Sequence, residues 1–87
     1  MALYRVTFSE RNGYQYQCRI RAAGQTPLEV IGLAVKKVWG DNACWVPFDA
    51  TTGCVWEWVA DTTHVPKTGE TTVSIEPARR RRATPSA

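Results

Sequence analysis

From Tyr14 to Ala22 the chain alternates strictly. Tyr14, Tyr16, Cys18, Ile20 and Ala22 are apolar, and Gln15, Gln17, Arg19 and Arg21 between them are polar. A period of two sustained over nine residues is the mark of a strand with one buried face and one wet face. A chain that contains such a strand must supply a second layer to cover it. Residues 3–8 give it a neighbour, because Tyr4, Val6 and Phe8 point one way while Leu3, Arg5 and Thr7 point the other. The segment Ser9 to Gly13 between them ends in Asn12-Gly13, a pair that tolerates positive φ. Pairing Phe8 with Tyr14, Val6 with Tyr16 and Tyr4 with Cys18 puts every apolar residue on one face.

The covering layer follows at once. Thr26 can cap a helix, Pro27 suits its first position, and Glu29 completes a capping box. The helix should run from Pro27 to Trp39, with Gly40 as its stop. At 100° per residue, Leu28, Ile31, Ala34, Val35, Val38 and Trp39 form the stripe that packs on the hairpin. Val30 and Leu33 fall near the polar side, so either another element covers them or they are exposed.

Cys44–Phe48 and Cys54–Val59 read as a second hairpin around Asp49 to Gly53. Pairing Phe48 with Cys54 sets Val46 opposite Trp56 and Cys44 opposite Trp58. The other face, with Trp45, Pro47, Val55, Glu57 and Val59, is then unusually apolar for a surface. Pro47 cannot donate to a ladder, which suggests an edge or a bulge. Residues 60–70 read as a loop, and Thr71 to Glu76 as a last strand with Val73 and Ile75 inward. The expected architecture is a two-layer α+β fold, with one mostly antiparallel sheet in the order ββαβββ and a single helix packed on one face. Residues 1–77 would form one domain and residues 78–87 a disordered basic tail.

Charge supports this division. The net charge of +3 is carried by Arg79, Arg80, Arg81 and Arg82; without them seven Lys/Arg stand against eight Asp/Glu, a net of −1. The sequence therefore reads as a near-neutral domain with a basic tail. Three Cys and no apolar leader after Met1 point to reduced thiols and to the cytoplasm. No run approaches the ~20 apolar residues of a membrane span.

Catalysis is not expected. A domain of 87 residues buries only about 60–65% of its unfolded surface, which leaves little room for a pocket of roughly 300 Å³ or more. No phosphate loop, dinucleotide fingerprint or nucleophile elbow occurs. His64 is the only histidine. Cys18, Cys44 and Cys54 are spaced too widely for an efficient zinc chelate with it. Strand cysteines among aromatic residues also lack the electropositive setting of a reactive thiol. No metal and no cofactor are therefore expected.

Binding is the better reading. Trp45, Val55, Glu57 and Val59, with Val30 and Leu33, would make an apolar protein interface anchored by tryptophan. The plain alternative is that another element or a second copy of the chain covers them, so a homodimer belongs to the same hypothesis. A second site for DNA or RNA would combine Arg5, Arg19 and Arg21 on the wet sheet face with Arg79, Arg80, Arg81 and Arg82. An ordinary solvated sheet face weighs more heavily there.

The run Tyr4 to Phe8, then Gly13-Tyr14, then Gly24 to Glu29 before an apolar helix, is similar to the strand–strand–helix start of HicB-type antitoxins and of many short phage and mobile-element proteins. The resemblance covers about the first 40 residues. The Pro-Asp-Leu-Pro-Gly segment of HicB is absent, and the Trp-rich hairpin is not part of that pattern. The resemblance implies a small accessory protein that acts by binding, often to a protein. The leading expectation is thus a non-catalytic accessory or regulatory protein, with a nucleic-acid-binding protein as the alternative.

Residues 78–87 hold no apolar run, so ordering them would cost about 1–2 kcal/mol per residue with nothing to bury in return. Truncation after Pro77 should leave the melting temperature nearly unchanged in a thermal scan while lowering the pI sharply. A fall of several degrees would show that the tail packs on the domain.

Overall fold

The computed structural model describes residues 2–78. The chain runs β1 (Ala2–Glu10), β2 (Gln15–Ala22), α1 (Pro27–Trp39), β3 (Ala43–Pro47), β4 (Thr52–Ala60), β5 (Thr63–Pro66) and β6 (Thr71–Pro77). All strand pairs are antiparallel, in the order β2-β1-β6-β4-β3, with β5 paired to β4. The α+β class and the one helix among the described residues agree with the sequence reading. The order ββαβββ does not, because the segment read as a loop contains β5. That strand offers one aliphatic side chain, Val65, so no alternation announces it. It forms because Asp61 and Thr62 fold the chain back, pairing Trp58 with His64 and Ala60 with Thr63.

The last strand returns to the middle of the sheet. It pairs along its length with β1 and at Thr52 and Gly53 with β4. Two hairpins far apart in sequence are thereby joined into one sheet. β5 and β6 lie in succession along the same edge of β4, separated by a buried polar corner. There the Val55 N–H donates to Thr68 Oγ1 (3.0 Å), and the Val55 carbonyl accepts from Lys67 N (2.7 Å) and Thr68 N (3.3 Å). The Thr71 hydroxyl donates to Thr68 Oγ1 (3.1 Å), and Thr68 in turn donates to the Gly69 carbonyl (3.0 Å).

Both hairpins sit two residues away from the registers expected. In the first, Phe8 faces Tyr16, Val6 faces Cys18 and Tyr4 faces Ile20. Its loop is the three residues 11–13, closed by Glu10 N to Tyr14 O (2.9 Å) and Gly13 N to Glu10 O (3.0 Å), with Gly13 at φ 95°. This is the type I turn plus left-handed glycine of a three-residue hairpin loop. A shift of two preserves the faces, so only Tyr14 leaves the core side, for solvent.

In the second hairpin Val46 faces Cys54 and Cys44 faces Trp56. Here the faces are also exchanged. Ala43, Trp45, Gly53 and Val55 point to the helix, and Val55 is fully buried. Cys44, Val46, Trp56 and Trp58 take the helix-free face. Either face of this hairpin is apolar enough for a core, so alternation could not choose between them.

The helix keeps its expected ends. Thr26 Oγ1 accepts from Glu29 N (3.2 Å), Glu29 Oε1 accepts from Thr26 N (2.7 Å), and Gly40 N donates to Lys36 O (2.9 Å) at φ 109°. Its buried residues are Val30, Ile31, Ala34 and Val35. Val30 has thus replaced Leu28, which is 54% exposed, in the expected stripe. The reason is the return of β6: its Val73 joins Val30 in the core, an element the helical pattern alone does not reveal.

Gly53 allows this packing. A Cβ there would lie 2.5 Å from Trp45 Cζ2 and 2.6 Å from the Val46 carbonyl oxygen, so any side chain collides with ring and backbone together. Gly53→Ala should cost about 1–3 kcal/mol by overpacking. Gly69→Ala, where a Cβ meets nothing within 4 Å, should stay within about 0.5 kcal/mol. Urea unfolding of the two variants checks both.

Candidate functional site

Beyond Gly53, β4 runs past the start of β6 and pairs with β5 instead; β3 lines its other edge as far as Glu57, and from Trp58 the β4–β5 hairpin projects as an arm. The arm is apolar on both faces. Trp58 (45% exposed) lies on the helix-free face, and Val59 (56%) and Val65 (37%) lie on or near the other. Val46 and Phe48 at the far end of β3 are exposed as well. The arm's charges are partly spent internally, because Lys67 Nζ lies 3.2 Å from Glu57 Oε1.

At the base of the arm an imidazole is held among aromatic rings. The His64 ring stacks on Trp58 with centroids 3.6 Å apart and planes 30° apart, and it meets Trp56 edge-on at 5.7 Å. The cross-strand pairing of Trp58 with His64 creates this stack. It leaves His64 Nε2 3.7 Å from Cys44 Sγ. The sequence reading set aside a Cys–His pair, and the structure forms one. The signal was the turn at Asp61-Thr62: once 58 pairs with 64, the neighbouring pairing of Cys44 with Trp56 brings the thiol to the imidazole. The other two thiols are elsewhere. The Cys18 Sγ lies 3.9 Å from the Ala34 carbonyl, and burial pushes its pKa up. Cys54 is buried and accepts from Trp56 Nε1 (2.9 Å). Among the described residues no group of three or more His, Cys, Asp or Glu could hold a metal ion.

The interface expected from sequence dissolves in part. Trp45 packs inward against Phe8 (centroids 5.7 Å), and Val55 and Val30 are core. They fail as surface residues because the faces of β3 and β4 are exchanged and β6 covers Val30. Glu57 is ion-paired, while Val59 and Leu33 are exposed on separate elements.

The three arginines of the first hairpin share one face. Arg5, Arg19 and Arg21 all project from the helix-free side of β1 and β2, with Arg5 directly opposite Arg19. Arg5 Nε lies 3.9 Å from Glu76 Oε1, and the Arg19 carbonyl accepts from Lys37 Nζ (2.8 Å). Arg79, Arg80, Arg81 and Arg82 lie outside the described residues. The chain reaches them from Ala78, whose N–H donates to the Leu3 carbonyl (2.9 Å) across from Arg21.

A groove of about 600 Å³ opens between the start of α1, the inner face of β6 and the β3–β4 loop, lined by Tyr4, Val30, Ile31, Thr51, Val73 and Ile75. This is an open groove on the surface, not a deep pocket cut into the core. The space is left because α1 lies mainly over β2 and β3, so the inner side of β6 is only partly covered. Hydrogen bonds from Thr51 and Thr52 hold the loop and keep the Asp49 carboxyl below its usual range. That contribution is present above the ordinary Asp value and fades as pH falls through the lower folded one.

No helix among the described residues is long and apolar enough to cross a membrane. Compared with known proteins, the chain matches no family model, no curated protein and no solved structure.

The exchange of faces is directly testable. Trp45→Ala should cost about 3–5 kcal/mol, as for any large core truncation. Trp58→Ala should cost about 1 kcal/mol or less, the value of a stacked aromatic pair. Denaturant unfolding of the two variants should separate them clearly, and the reverse ranking would mean that the odd-numbered face is outside.

Proposed function

We propose that the chain is a small non-catalytic accessory protein that binds and modulates a protein, and that the partner docks on the arm formed by β4 and β5. The observation that carries this is the exposure of Trp58, Val59 and Val65 on both faces of one projecting hairpin. The tip of this hairpin runs past the end of β3 pairing at Glu57 and is apolar on both sides, so it gains by being covered. The charges within the arm are largely balanced, so the partner that fits is a protein with an apolar, uncharged surface. The resemblance of residues 3–40 to HicB-type antitoxins points the same way, to an accessory protein of a phage or mobile element. A second copy of the chain is an outcome that the experiment distinguishes.

One observation favours a second reading, nucleic-acid binding. Like charges directly opposite each other on a sheet are destabilising, yet Arg5 and Arg19 are direct cross-strand partners on the face that also carries Arg21, and the carboxylate beside them, Glu76 at 3.9 Å from Arg5, offsets only part of that charge. A bound phosphate chain would relieve that repulsion, and Arg79–Arg82 would extend the contact.

Affinity capture with the full chain, beside the variant Val59→Asp/Val65→Asp, separates the readings. A protein retained at 0.5 M salt and lost with the variant, followed by direct binding of that purified protein, supports the arm. Sedimentation of the chain alone identifies a homodimer. Nucleic acid that elutes steeply with salt, with a log–log slope of about −0.9 per phosphate on duplex DNA, and that ignores the variant would replace the protein reading with the second. Retention of nothing that distinguishes variant from wild type would overturn the arm as the docking site.

A further inference from the structure

The three thiols have three different surroundings. Cys18 sits under α1 with its thiol toward the Ala34 carbonyl, where burial disfavours the thiolate. Cys54 is buried beneath the Trp56 ring, and the indole N–H occupies its sulfur. Cys44 is half-exposed on the helix-free face and meets the only imidazole of the chain at 3.7 Å. That imidazole cannot swing freely, because Trp58 stacks on its face and Trp56 lies against it edge-on. A fixed ring nitrogen within reach of a thiol is the arrangement that activates a cysteine. No charged group takes the place of the base: the ion pair nearest in the fold, Lys67 with Glu57, belongs to the opposite face of β4.

We propose that Cys44 is a reactive thiol and a site of covalent modification by low-molecular-weight disulfides, with His64 as its proton acceptor. The chemistry is thiol–disulfide exchange. The Cys44 sulfur attacks one sulfur of the small disulfide as its proton passes to His64 Nε2, with Nδ1 carrying the hydrogen of the neutral ring. A new S–S bond forms, the old one breaks, and the electron pair leaves on the departing thiolate. His64 then returns the proton to that thiolate, so one small disulfide is consumed and one small thiol released. The proposal rests on the Cys44–His64–Trp58 geometry alone and does not depend on the arm's role in docking.

The test uses the intact chain with glutathione disulfide at pH 7, followed by peptide mass spectrometry, with iodoacetamide as a second probe. Cys44 should be modified at least about tenfold faster than Cys18 and Cys54. His64→Ala should slow Cys44 about tenfold, below the contribution of a fully aligned general base because a thiol is already partly ionised. Cys44→Ser should abolish the fast phase. Cys18 reports on folding within each sample: if His64→Ala unfolds the arm and core, Cys18 becomes reactive too, and His64→Gln is then measured in its place. Equal labelling of all three thiols in the wild type would overturn the proposal. So would a Cys44 rate unchanged by loss of the imidazole while Cys18 stays protected.

Discussion

The structure depends on one side chain, Phe8. It is fully buried on β1, and its ring meets Trp39 of the helix edge-on at 5.1 Å and Trp45 of β3 at 5.7 Å. Tyr16 continues the row on the far side of Trp39, at 5.0 Å. Four aromatic rings from two hairpins and the helix thus make a single chain of contacts. Each aromatic pair adds about 0.5–1.5 kcal/mol beyond the area it buries. In a protein whose buried aliphatic core is mostly Val and Ala, that row fixes the angle at which the helix lies on the sheet. It also explains the exchange of faces in the second hairpin. If Trp56 or Trp58 faced inward, Trp45 would leave the row and Phe8 would lose one of its two neighbours.

The return of the last strand then follows from what the row leaves unfinished. Ring contacts bring β1 and β3 under the same helix, but their backbones do not pair. β6 fills the gap, taking hydrogen bonds from β1 along one edge and from the first residues of β4 along the other. The chain reaches that position only by turning sharply after β5. The corner of Thr68 and Thr71 makes the turn possible by satisfying the Val55 amide and the threonine hydroxyls where water is excluded. Among the described residues no buried side-chain nitrogen or oxygen is left without a partner. Two threonines in an otherwise polar segment therefore decide where the sheet is joined.

The legible parts of the sequence were those with one reading. Thr26-Pro27 and Glu29 admit only a capped helix start, and Gly40 only a stop. The alternation from Tyr14 to Ala22 has one wet side, so its faces survived even though the hairpin register moved by two. The second hairpin had two apolar sides, and the contrast that sets faces was missing; the decisive fact, that Gly53 leaves room for the Trp45 ring alone, lies across the sheet and not along the chain. β5 was silent for a different reason. Its residues are polar or proline apart from Val65, and it is held by pairing rather than by burial. With β5 went the one site that sequence reasoning dismissed, since only the pairing of Trp58 with His64 brings the imidazole to Cys44. Of the candidate residues, those on the well-contrasted first hairpin (Arg5 on β1, Arg19 and Arg21 on β2) took the face expected, and those on the ambiguous second hairpin did not.

The helix-free face carries two unlike surfaces, and the stagger of the sheet keeps them apart. Arg5 pairs with Glu76 and Thr72 pairs with Thr52, so four residues of β6 separate the arginine row from the start of β4, and four more separate Thr52 from Trp56. At about 3.3 Å per residue this places the aromatic end roughly 25 Å from the arginine end. That is about three times the ~8 Å over which charges are felt at physiological ionic strength. The guanidinium groups of Arg5, Arg19 and Arg21 therefore do not set the field at Cys44 and His64, whose behaviour is governed by the Trp56 and Trp58 rings beside them. Nor can a small ligand touch both ends. An extended polymer could lie along the whole face, stacking at Trp58 and ion-pairing at Arg19, but a globular partner must choose one end. The arm offers it buried area, and the arginine row offers it charge.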